Sequence, residues 1–445
     1  MERVGILQTL KVCVKYIVIF LLVTGVLLLS LVFSANIPQS AIKEQVQESA
    51  TYLCEGELFG RVVKDVDSSK IDRYADSILL GIAYQYDSEH PLASVMWSSY
   101  YHSDLDNENE NLLAAVTNEY EANQQYLRYW HGSIAIVRPL LTFLNLKQIY
   151  RLNGVLLALL VIGLFVTLLR LKAYAPAVGI AFGLILTSFW FVPFSLEYTW
   201  TYLLMLIFSI IGVRLIYKKR YRAVGMFFLV SGMVTNFLDF LTTETLTLTV
   251  PLLLMLWMER KQNVESKSKS ESDWKASFQM AGKAAITWGA GYVGMWLMKW
   301  LLASLVLSEN VMPYVSEHIG ERIGGDLGIG PLQYIFGTIW KNIKCLFPFE
   351  YGIVGAFTGI GLVVYSLYVG YVYYKKNIDK KSVLLYALIG LVPYIRYIVL
   401  HNHSYLHCFF TYRAQLATIL AIVLILEQIT DRRCRAHANG RKARA

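Results

Sequence analysis

The sequence is poor in charged residues, which make up 16% of its 445 positions. Soluble domains carry roughly 25% charged residues and about 45–50% apolar ones. Hydrophobic residues reach 56% of this chain, which is above that range. The combination argues against an ordinary soluble protein and places the chain among integral membrane proteins.

Cysteine is also scarce, and its five copies are scattered as Cys13, Cys54, Cys345, Cys408 and Cys434. Their spacing forms no CxxC pair and no zinc-type pattern with histidine, so a structural metal site of that kind is not indicated. Two interpretations stay open, a disulfide between Cys54 and Cys345 or a set of unpaired thiols. Internal repeats are absent too, which removes support for a transporter built from inverted repeats.

Long apolar runs are what the sequence does contain. A transmembrane helix needs about 20 apolar residues to cross the roughly 30 Å hydrocarbon core of a bilayer. Such runs predict ten transmembrane helices, at residues 16–34, 149–169, 174–193, 199–217, 223–241, 244–258, 284–306, 351–373, 383–400 and 408–427. The first run, of about 18 residues, exceeds the apolar core of a typical signal peptide, so we interpret it as an uncleaved anchor.

Positive charge is distributed unevenly along the chain, which has 41 Lys and Arg against 32 Asp and Glu. The cations concentrate before the first predicted span, after every second one and at the C-terminus, as expected for cytoplasmic segments. This alternation predicts a multi-pass protein of the cell membrane with both termini in the cytoplasm. We therefore assign the net charge of +9 to these cytoplasmic segments, and expect the lipid bilayer and no nucleic acid as a partner.

The spans and charges together predict seven segments. They are a cytoplasmic N-terminus (1–15), a first transmembrane helix (16–34), a large extracytoplasmic loop (35–148), helices two to seven with a cytoplasmic linker at 259–283 (149–306), a second extracytoplasmic loop (307–350), helices eight to ten (351–427) and a basic cytoplasmic tail (428–445). Aromatic residues and helical periodicity, as at 41–55 and 112–129, indicate that the loops fold. The predicted fold class is an all-α membrane protein with about ten transmembrane helices and folded helical extracytoplasmic loops.

Two acids in the first loop, Asp72 and Asp76, are the first candidates for chemistry. At a spacing of four residues they would share one face of a helix. One of them could act as a general base or bind a divalent cation, and we prefer Asp76. The alternative is a helix N-terminus, where aspartate is favoured electrostatically.

Other polar residues lie close to the predicted outer face, where charge near hydrocarbon costs free energy and tends to mark a site. His131 and Arg138 follow an aromatic cluster and would suit an anionic headgroup. Glu197, Asp239 and Glu244 lie in short turns between spans, and could hold an acceptor or a cation. Carboxylate oxygens suit Mg²⁺ or Mn²⁺, while solvated turn residues are the alternative.

The densest cationic group on the predicted outer side consists of Arg396, His401, His403, His407 and Arg413. Because a guanidinium binds phosphate through two parallel hydrogen bonds, the group predicts a site for a lipid phosphate. Binding of Zn²⁺ by the histidines is one alternative. An interfacial turn flanked by snorkelling arginines is the other.

This layout resembles the GT-C class of integral-membrane glycosyltransferases, in the branch that contains protein O-mannosyltransferases and lipid A aminoarabinose transferases. Asp72 and Asp76 lie where that class has its catalytic carboxylate. Residues 129–132, Tyr-Trp-His-Gly, stand where many members have an aromatic-histidine segment. The late group with His403 and Arg413 resembles the residues that hold the donor phosphate.

The resemblance implies transfer of a sugar from a polyprenyl-phosphate donor to an extracytoplasmic acceptor, which could be an envelope glycan, lipid or protein. Asp76, or failing it Asp72, would be the general base. The implied donor-phosphate-binding residues are Arg396, His403, His407 and Arg413. No cofactor is certain, with Mg²⁺ or Mn²⁺ as candidates. The alternatives are a transporter or flippase for an anionic lipid-linked substrate, and a non-catalytic membrane scaffold.

Overall fold

The computed structural model describes residues 2–265, 273–323, 330–374 and 379–430. Within these ranges the chain forms helices, turns and three isolated β-bridges, with no extended strand. The middle of the predicted linker 259–283 and most of the predicted basic tail 428–445 lie outside the described residues. The prediction of an all-α protein is confirmed for the described part.

Twenty α-helices, numbered here in chain order, make up the described structure. They are α1 Glu2–Ala35, α2 Lys43–Cys54, α3 Arg73–Gln85, α4 Pro91–Trp97, α5 Glu108–Asn118, α6 Ile134–Leu140, α7 Leu146–Arg170, α8 Tyr174–Leu186, α9 Leu196–Tyr217, α10 Val224–Leu238, α11 Leu246–Glu265, α12 Asp273–Leu307, α13 Met312–Ile323, α14 Pro331–Lys344, α15 Gly352–Val372, α16 Lys380–Gly390, α17 Val392–Val399, α18 His401–Leu406, α19 Cys408–Thr411 and α20 Leu416–Ile429. Short 3-10 helices are Gln39–Ala41, Asp67–Ser69, Phe189–Phe194, Tyr221–Ala223 and Tyr412–Gln415.

Eight helical segments among the described residues are long and apolar enough to cross a membrane. They are Leu10–Ala35, Leu146–Arg170, Leu196–Tyr217, Tyr221–Leu238, Trp274–Leu307, Gly352–Val372, Lys380–Val399 and Cys408–Ile429. This finding confirms a helical, multi-pass membrane protein whose environment is a lipid bilayer. The count of ten spans and the orientation of the termini stay predictions.

The third and sixth predicted spans are the two that do not reach this length and composition. Helix α8 ends after 13 residues, and the 3-10 helix Phe189–Phe194, which contains Pro193, follows it. Helix α11 is 20 residues long, but its last turns carry Glu259, Arg260 and Lys261. Since α11 is buried along most of its length, it contacts other helices more than lipid.

The predicted linker 259–283 is shorter in the structure, because helices extend into it from both sides. Helix α11 continues to Glu265, and α12 begins at Asp273. Helix α12 then packs closely against α10, where Gly232 and Gly291 face the backbone of the opposite helix. A Cβ atom on either glycine would overlap that backbone, so small residues allow the close approach.

The first large loop forms a folded cap at one end of the bundle, which we call the loop end. Helix α2 lies within the predicted helix at 41–55. Helix α5, by contrast, ends at Asn118, because Glu119 adopts a left-handed conformation with φ of 56°. The predicted helix at 112–129 therefore stops early, and the chain continues as an irregular segment toward His131.

The cysteines of the described residues, Cys13, Cys54, Cys345 and Cys408, are all free thiols. The disulfide between Cys54 and Cys345 is therefore not formed. Instead, Cys345 and Cys408 belong to a small buried cluster with Tyr412. Cys434 lies outside the described residues.

Candidate active site

A small cavity of about 80 Å³ lies between the folded loop and the helix ends beneath it. We call it the acid–histidine cavity because two carboxyl groups and three imidazoles line it. Its lining residues are Phe59, Asp72, Tyr74, Ala75, Ile78, Leu79, Tyr126, His131, Glu197, Phe240, His403, His407 and Phe410. Five of them were predicted from the sequence as site residues, although they come from four distant parts of the chain.

Asp72 reaches the cavity as the N-cap of helix α3. Its carboxylate accepts a hydrogen bond of 2.9 Å from the backbone N–H of Ala75, and the residue is only 3% exposed. The protonated carboxyl of Glu197, in the first turn of α9, donates a second hydrogen bond to it. Burial raises the pKa of Asp72 to about 6, which brings its titration close to neutral pH.

Asp76, one turn further along α3, does not line the cavity. Its carboxylate accepts hydrogen bonds from the Tyr150 hydroxyl, from the Leu196 backbone N–H at 3.0 Å and from the Ser195 hydroxyl at 3.3 Å. Burial raises the pKa of Asp76 to about 7. These contacts join α3 to α7 and to the start of α9. Of the two predicted candidates for the general base, Asp72 therefore lines the cavity and Asp76 does not.

His131 forms part of the cavity wall and is held in a left-handed conformation with φ of 52°. Its Nε2 hydrogen-bonds to the backbone carbonyl of Tyr126 at 2.9 Å. Burial lowers the pKa of His131 to about 3, so the imidazole is neutral at physiological pH. It can exchange hydrogen bonds with a bound molecule, but it is not a cation for an anionic headgroup.

The other two imidazoles, His403 and His407, come from α18 and the turn that follows it. Their ring centroids lie 4.8 Å apart, and His407 stacks on Phe410 at 5.2 Å. Nε2 of His403 hydrogen-bonds to the carbonyl of Leu241 at 2.9 Å. These two histidines are the members of the predicted phosphate group that reach the cavity.

Arg396 is part of the same predicted group but does not line the cavity. Its Nε donates to Oε1 of Glu244 at 2.6 Å in a buried ion pair, and its Nη1 donates to the Ser404 hydroxyl at 3.1 Å. Its Nη2 donates to the carbonyl of Leu241. These partners occupy three of the five N–H groups of the guanidinium. Contact between Arg396 and a lipid phosphate stays a prediction.

Arg413 is 1% exposed and likewise does not line the cavity. It donates to the carbonyls of Phe409 at 3.0 Å and Ser68 at 3.3 Å, and its guanidinium lies 4.5 Å from the centre of the Tyr198 ring. Arg413 therefore does not snorkel to the membrane interface in this structure, and its contact with the donor phosphate stays a prediction. Buried carbonyls need donors, and the five N–H groups of arginine supply several at once.

Arg138 has a comparable structural role inside the folded loop. It donates to the backbone carbonyls of Ile37 at 2.6 Å, Tyr86 at 3.0 Å and Ala83. These contacts join the end of α3 to the segment after α1. Arg138 is fully buried, so it is not placed to bind an anionic headgroup.

Asp239 and Glu244 do not form a cation site with Glu197. Asp239 accepts from the backbone N–H of Leu241 at 2.9 Å and from Thr242, as expected for a turn-forming aspartate. Burial, followed by the charge of Glu244, raises the pKa of Asp239 to about 7. Across the described residues, no group of three or more His, Cys, Asp or Glu side chains is arranged to hold a metal ion. The described residues therefore add no support for the Mg²⁺ or Mn²⁺ site, which stays a prediction.

Several functional neighbours were not singled out from the sequence. Phe59, Tyr74, Phe240 and Phe410 supply the aromatic walls of the cavity. No local pattern distinguishes these aromatics from the many others of the chain. The sequence also did not single out Tyr150, which donates a hydrogen bond to Asp76, because this contact depends on how α7 packs against α3.

The arrangement can carry out proton transfer in a confined, partly dehydrated space. A carboxyl group that titrates near pH 6 is suited to accept a proton at neutral pH. Perturbed carboxyl groups in a cavity are also typical of functional sites. No protein-family model matches the chain, and searches of curated proteins and of solved structures found no significant match. Function must therefore be inferred from the site itself.

Proposed function

We propose that this protein is a membrane glycosyltransferase, which moves a sugar from a polyprenyl-phosphate donor to an extracytoplasmic acceptor of the cell envelope. The proposal rests mainly on one observation. The acid–histidine cavity brings Asp72 and Glu197 together with His131, His403 and His407 at the loop end of the bundle. Both a base for the acceptor and hydrogen-bond donors for a leaving phosphate are thereby available in one cavity.

In the proposed reaction, Asp72 accepts the proton of the acceptor hydroxyl. The acceptor oxygen then forms a bond to the anomeric carbon of the sugar while the bond from that carbon to the donor phosphate oxygen breaks. Polyprenyl phosphate leaves with the bonding electron pair. The Nε2–H of His403 already donates to the Leu241 carbonyl, so His403 donates to that phosphate through Nδ1–H as the protonated imidazolium. His407 donates a second hydrogen bond, and the two stabilise the charge on the phosphate. Glu197 holds Asp72 in place through the hydrogen bond between their side chains.

The location of the polar groups favours an enzyme over a transporter. Transporter sites lie near the middle of the membrane, where both faces can gain access in turn. The acid–histidine cavity is instead formed by a loop, by the N-cap of α3 and by residues at the ends of α9 and α18. A scaffold, for its part, would have no need of buried carboxyl groups with raised pKa values.

The test is sugar transfer by purified protein reconstituted with labelled polyprenyl-phosphate sugars. We expect Asp72→Asn to lower the transfer rate by roughly 10²–10⁴, the range for loss of a general base. The fold should survive, because asparagine is also a good N-cap. Asp67→Asn is the matched control, because Asp67 is another acid of the first loop. Its carboxylate forms an ion pair of 2.7 Å with Arg61 and does not line the cavity. Normal turnover by a folded Asp72→Asn protein would contradict the proposal.

A further inference from the structure

A second cavity, which we call the lipid groove, lies beside the acid–histidine cavity and has a volume of about 370 Å³. Its lining includes Tyr129, Glu244, Val293, Trp296 and Ile319. The size falls within the roughly 300–1,000 Å³ typical of ligand sites. Val293 is 49% exposed on α12, a helix that is apolar and long enough to span a membrane. The groove therefore opens on a surface that contacts lipid chains.

Two residues that line this apolar groove each carry a buried polar atom that has no partner within the described residues. Glu244 is 5% exposed, and while its Oε1 pairs with Arg396, its Oε2 accepts no hydrogen bond. Nε of Arg128, which also lines the groove, donates none. Because a buried polar atom without a partner is destabilising, each calls for a group on a ligand. The first requires a donor and the second an acceptor.

A thin wall separates the lipid groove from the acid–histidine cavity. The Tyr129 ring lines the groove and lies 6.1 Å from the His131 ring and 6.0 Å from the Phe240 ring, both of which line the cavity. Leu241 also lines the groove, and its carbonyl accepts the hydrogen bond of His403. A headgroup seated at Glu244 is therefore adjacent to the residues of the proposed chemistry.

We infer that the acceptor is a membrane lipid with a neutral, polyhydroxyl headgroup, whose acyl chain lies in the lipid groove. This inference rests on the proposed function and specifies the class of its acceptor. Hydroxyl groups both donate and accept, so one headgroup satisfies Glu244 Oε2 and Arg128 Nε together. A phosphate without hydroxyl groups would offer only acceptors and would leave Oε2 unpaired.

The test of binding uses a glucosyl diacylglycerol with a photoreactive acyl chain, added to the purified protein in nanodiscs. Crosslinks should map to α12 and α13 by mass spectrometry. Val293→Trp fills part of the groove and should displace about two CH₂ groups of the bound acyl chain. We therefore expect about tenfold less labelling, which is the loss of affinity for two CH₂ groups that are no longer buried. Ile286→Trp is the matched control, because Ile286 is on the same helix, is 74% exposed and does not line the groove.

Competition identifies the headgroup chemistry. An unlabelled glucosyl diacylglycerol should displace the probe, whereas its O-methylated analogue, which cannot donate to Glu244, should compete about tenfold less well. Equal competition by both lipids would overturn the inference, as would displacement by polyprenyl phosphate at lower concentration. Unchanged labelling of Val293→Trp would also overturn it.

The failure of this inference can be told apart from failure of the proposed function. Asp72→Asn should bind the probe normally while losing transfer. Groove-dependent labelling by a wild-type protein that transfers no sugar would uphold the lipid site and contradict the glycosyltransferase. A protein that transfers sugar to a soluble acceptor, and whose labelling by the probe is the same in Val293→Trp as in the wild type, would support the glycosyltransferase. The same result would overturn the lipid acceptor.

Discussion

One helical turn separates two aspartates whose surroundings give them different roles. Asp72 lines the acid–histidine cavity, whereas Asp76 is enclosed by Tyr150, Ser195 and Leu196. Burial raises the pKa of both groups, so the shift alone does not identify the base. Access to the cavity favours Asp72 as the proposed base, because a general base must come within hydrogen-bond reach of the proton that it removes.

The pH dependence of transfer is a prediction about Asp72. Its pKa is raised by burial to about 6, and only the ionised form can accept a proton. We therefore expect the rate to rise by about tenfold per pH unit below pH 6 and to level off above it. The measurement is kcat/KM between pH 4.5 and 8. The residual activity of Asp72→Asn should not show this rise between pH 4.5 and 6. The same rise in that variant would assign the titration to another group.

Asp76→Asn should affect stability more than chemistry. The substitution replaces one acceptor oxygen by an N–H₂ group in a place where three donors converge. A buried donor left without an acceptor costs about 1–3 kcal/mol, so the unfolding midpoint should fall. Transfer per folded molecule should stay near the wild-type value. A fully stable Asp76→Asn protein with lost turnover would restore Asp76 as the base.

Buried cations connect distant elements at the loop end of the bundle. Arg396 joins α17 to the turn before α11 through Glu244 and Leu241. Lys299 on α12 donates to the carbonyls of Val95 and Met96 at 2.8 and 3.1 Å and so anchors α4. Lys299 thereby satisfies carbonyls at the end of α4, which have no partner within their own helix.

Arg413→Lys tests whether that arginine is a structural connection or a phosphate ligand. Lysine keeps the charge but cannot reach the carbonyls of Phe409 and Ser68 with a planar fork. We expect a loss of about 1–3 kcal/mol in stability and unchanged affinity of the folded protein for polyprenyl phosphate. Arg61→Lys is the control, since its ion pair with Asp67 is exposed and contributes about 0–1 kcal/mol. Weakened phosphate binding at normal stability would support the phosphate ligand instead.

Topology is the prediction for the whole molecule. The alternation of basic connections places reporter fusions at residues 220, 268 and 378 in the cytoplasm, and fusions at 100, 330 and 404 outside. Position 268 is in the segment outside the described residues, so the fusion also tests the part of the linker between α11 and α12. An external signal at 268 would overturn the ten-span arrangement. Alkaline phosphatase and fluorescent-protein fusions provide the readout.

The membrane class and the helices that cross the bilayer followed from the sequence alone. Transfer of an apolar run into hydrocarbon depends on the run itself, so a window of about 20 residues carries the signal. Helix α7 at Leu146–Arg170 and α15 at Gly352–Val372 begin and end within a few residues of the predicted spans. The first-loop acids and the late histidines were also recognised, because ionisable groups stand out in apolar surroundings.

Only the tertiary structure decided which of these groups work together. The partner of a buried arginine is set by the helix that packs beside it, and residues such as Glu244 and Arg396 are 152 positions apart. The same holds for Asp72 and His403, which share a cavity that no local pattern encodes. Hydrophobicity is a property of a segment, whereas access, burial and pairing are properties of contacts between segments. The choice of Asp72 over Asp76, and the lipid groove itself, therefore depend on the fold.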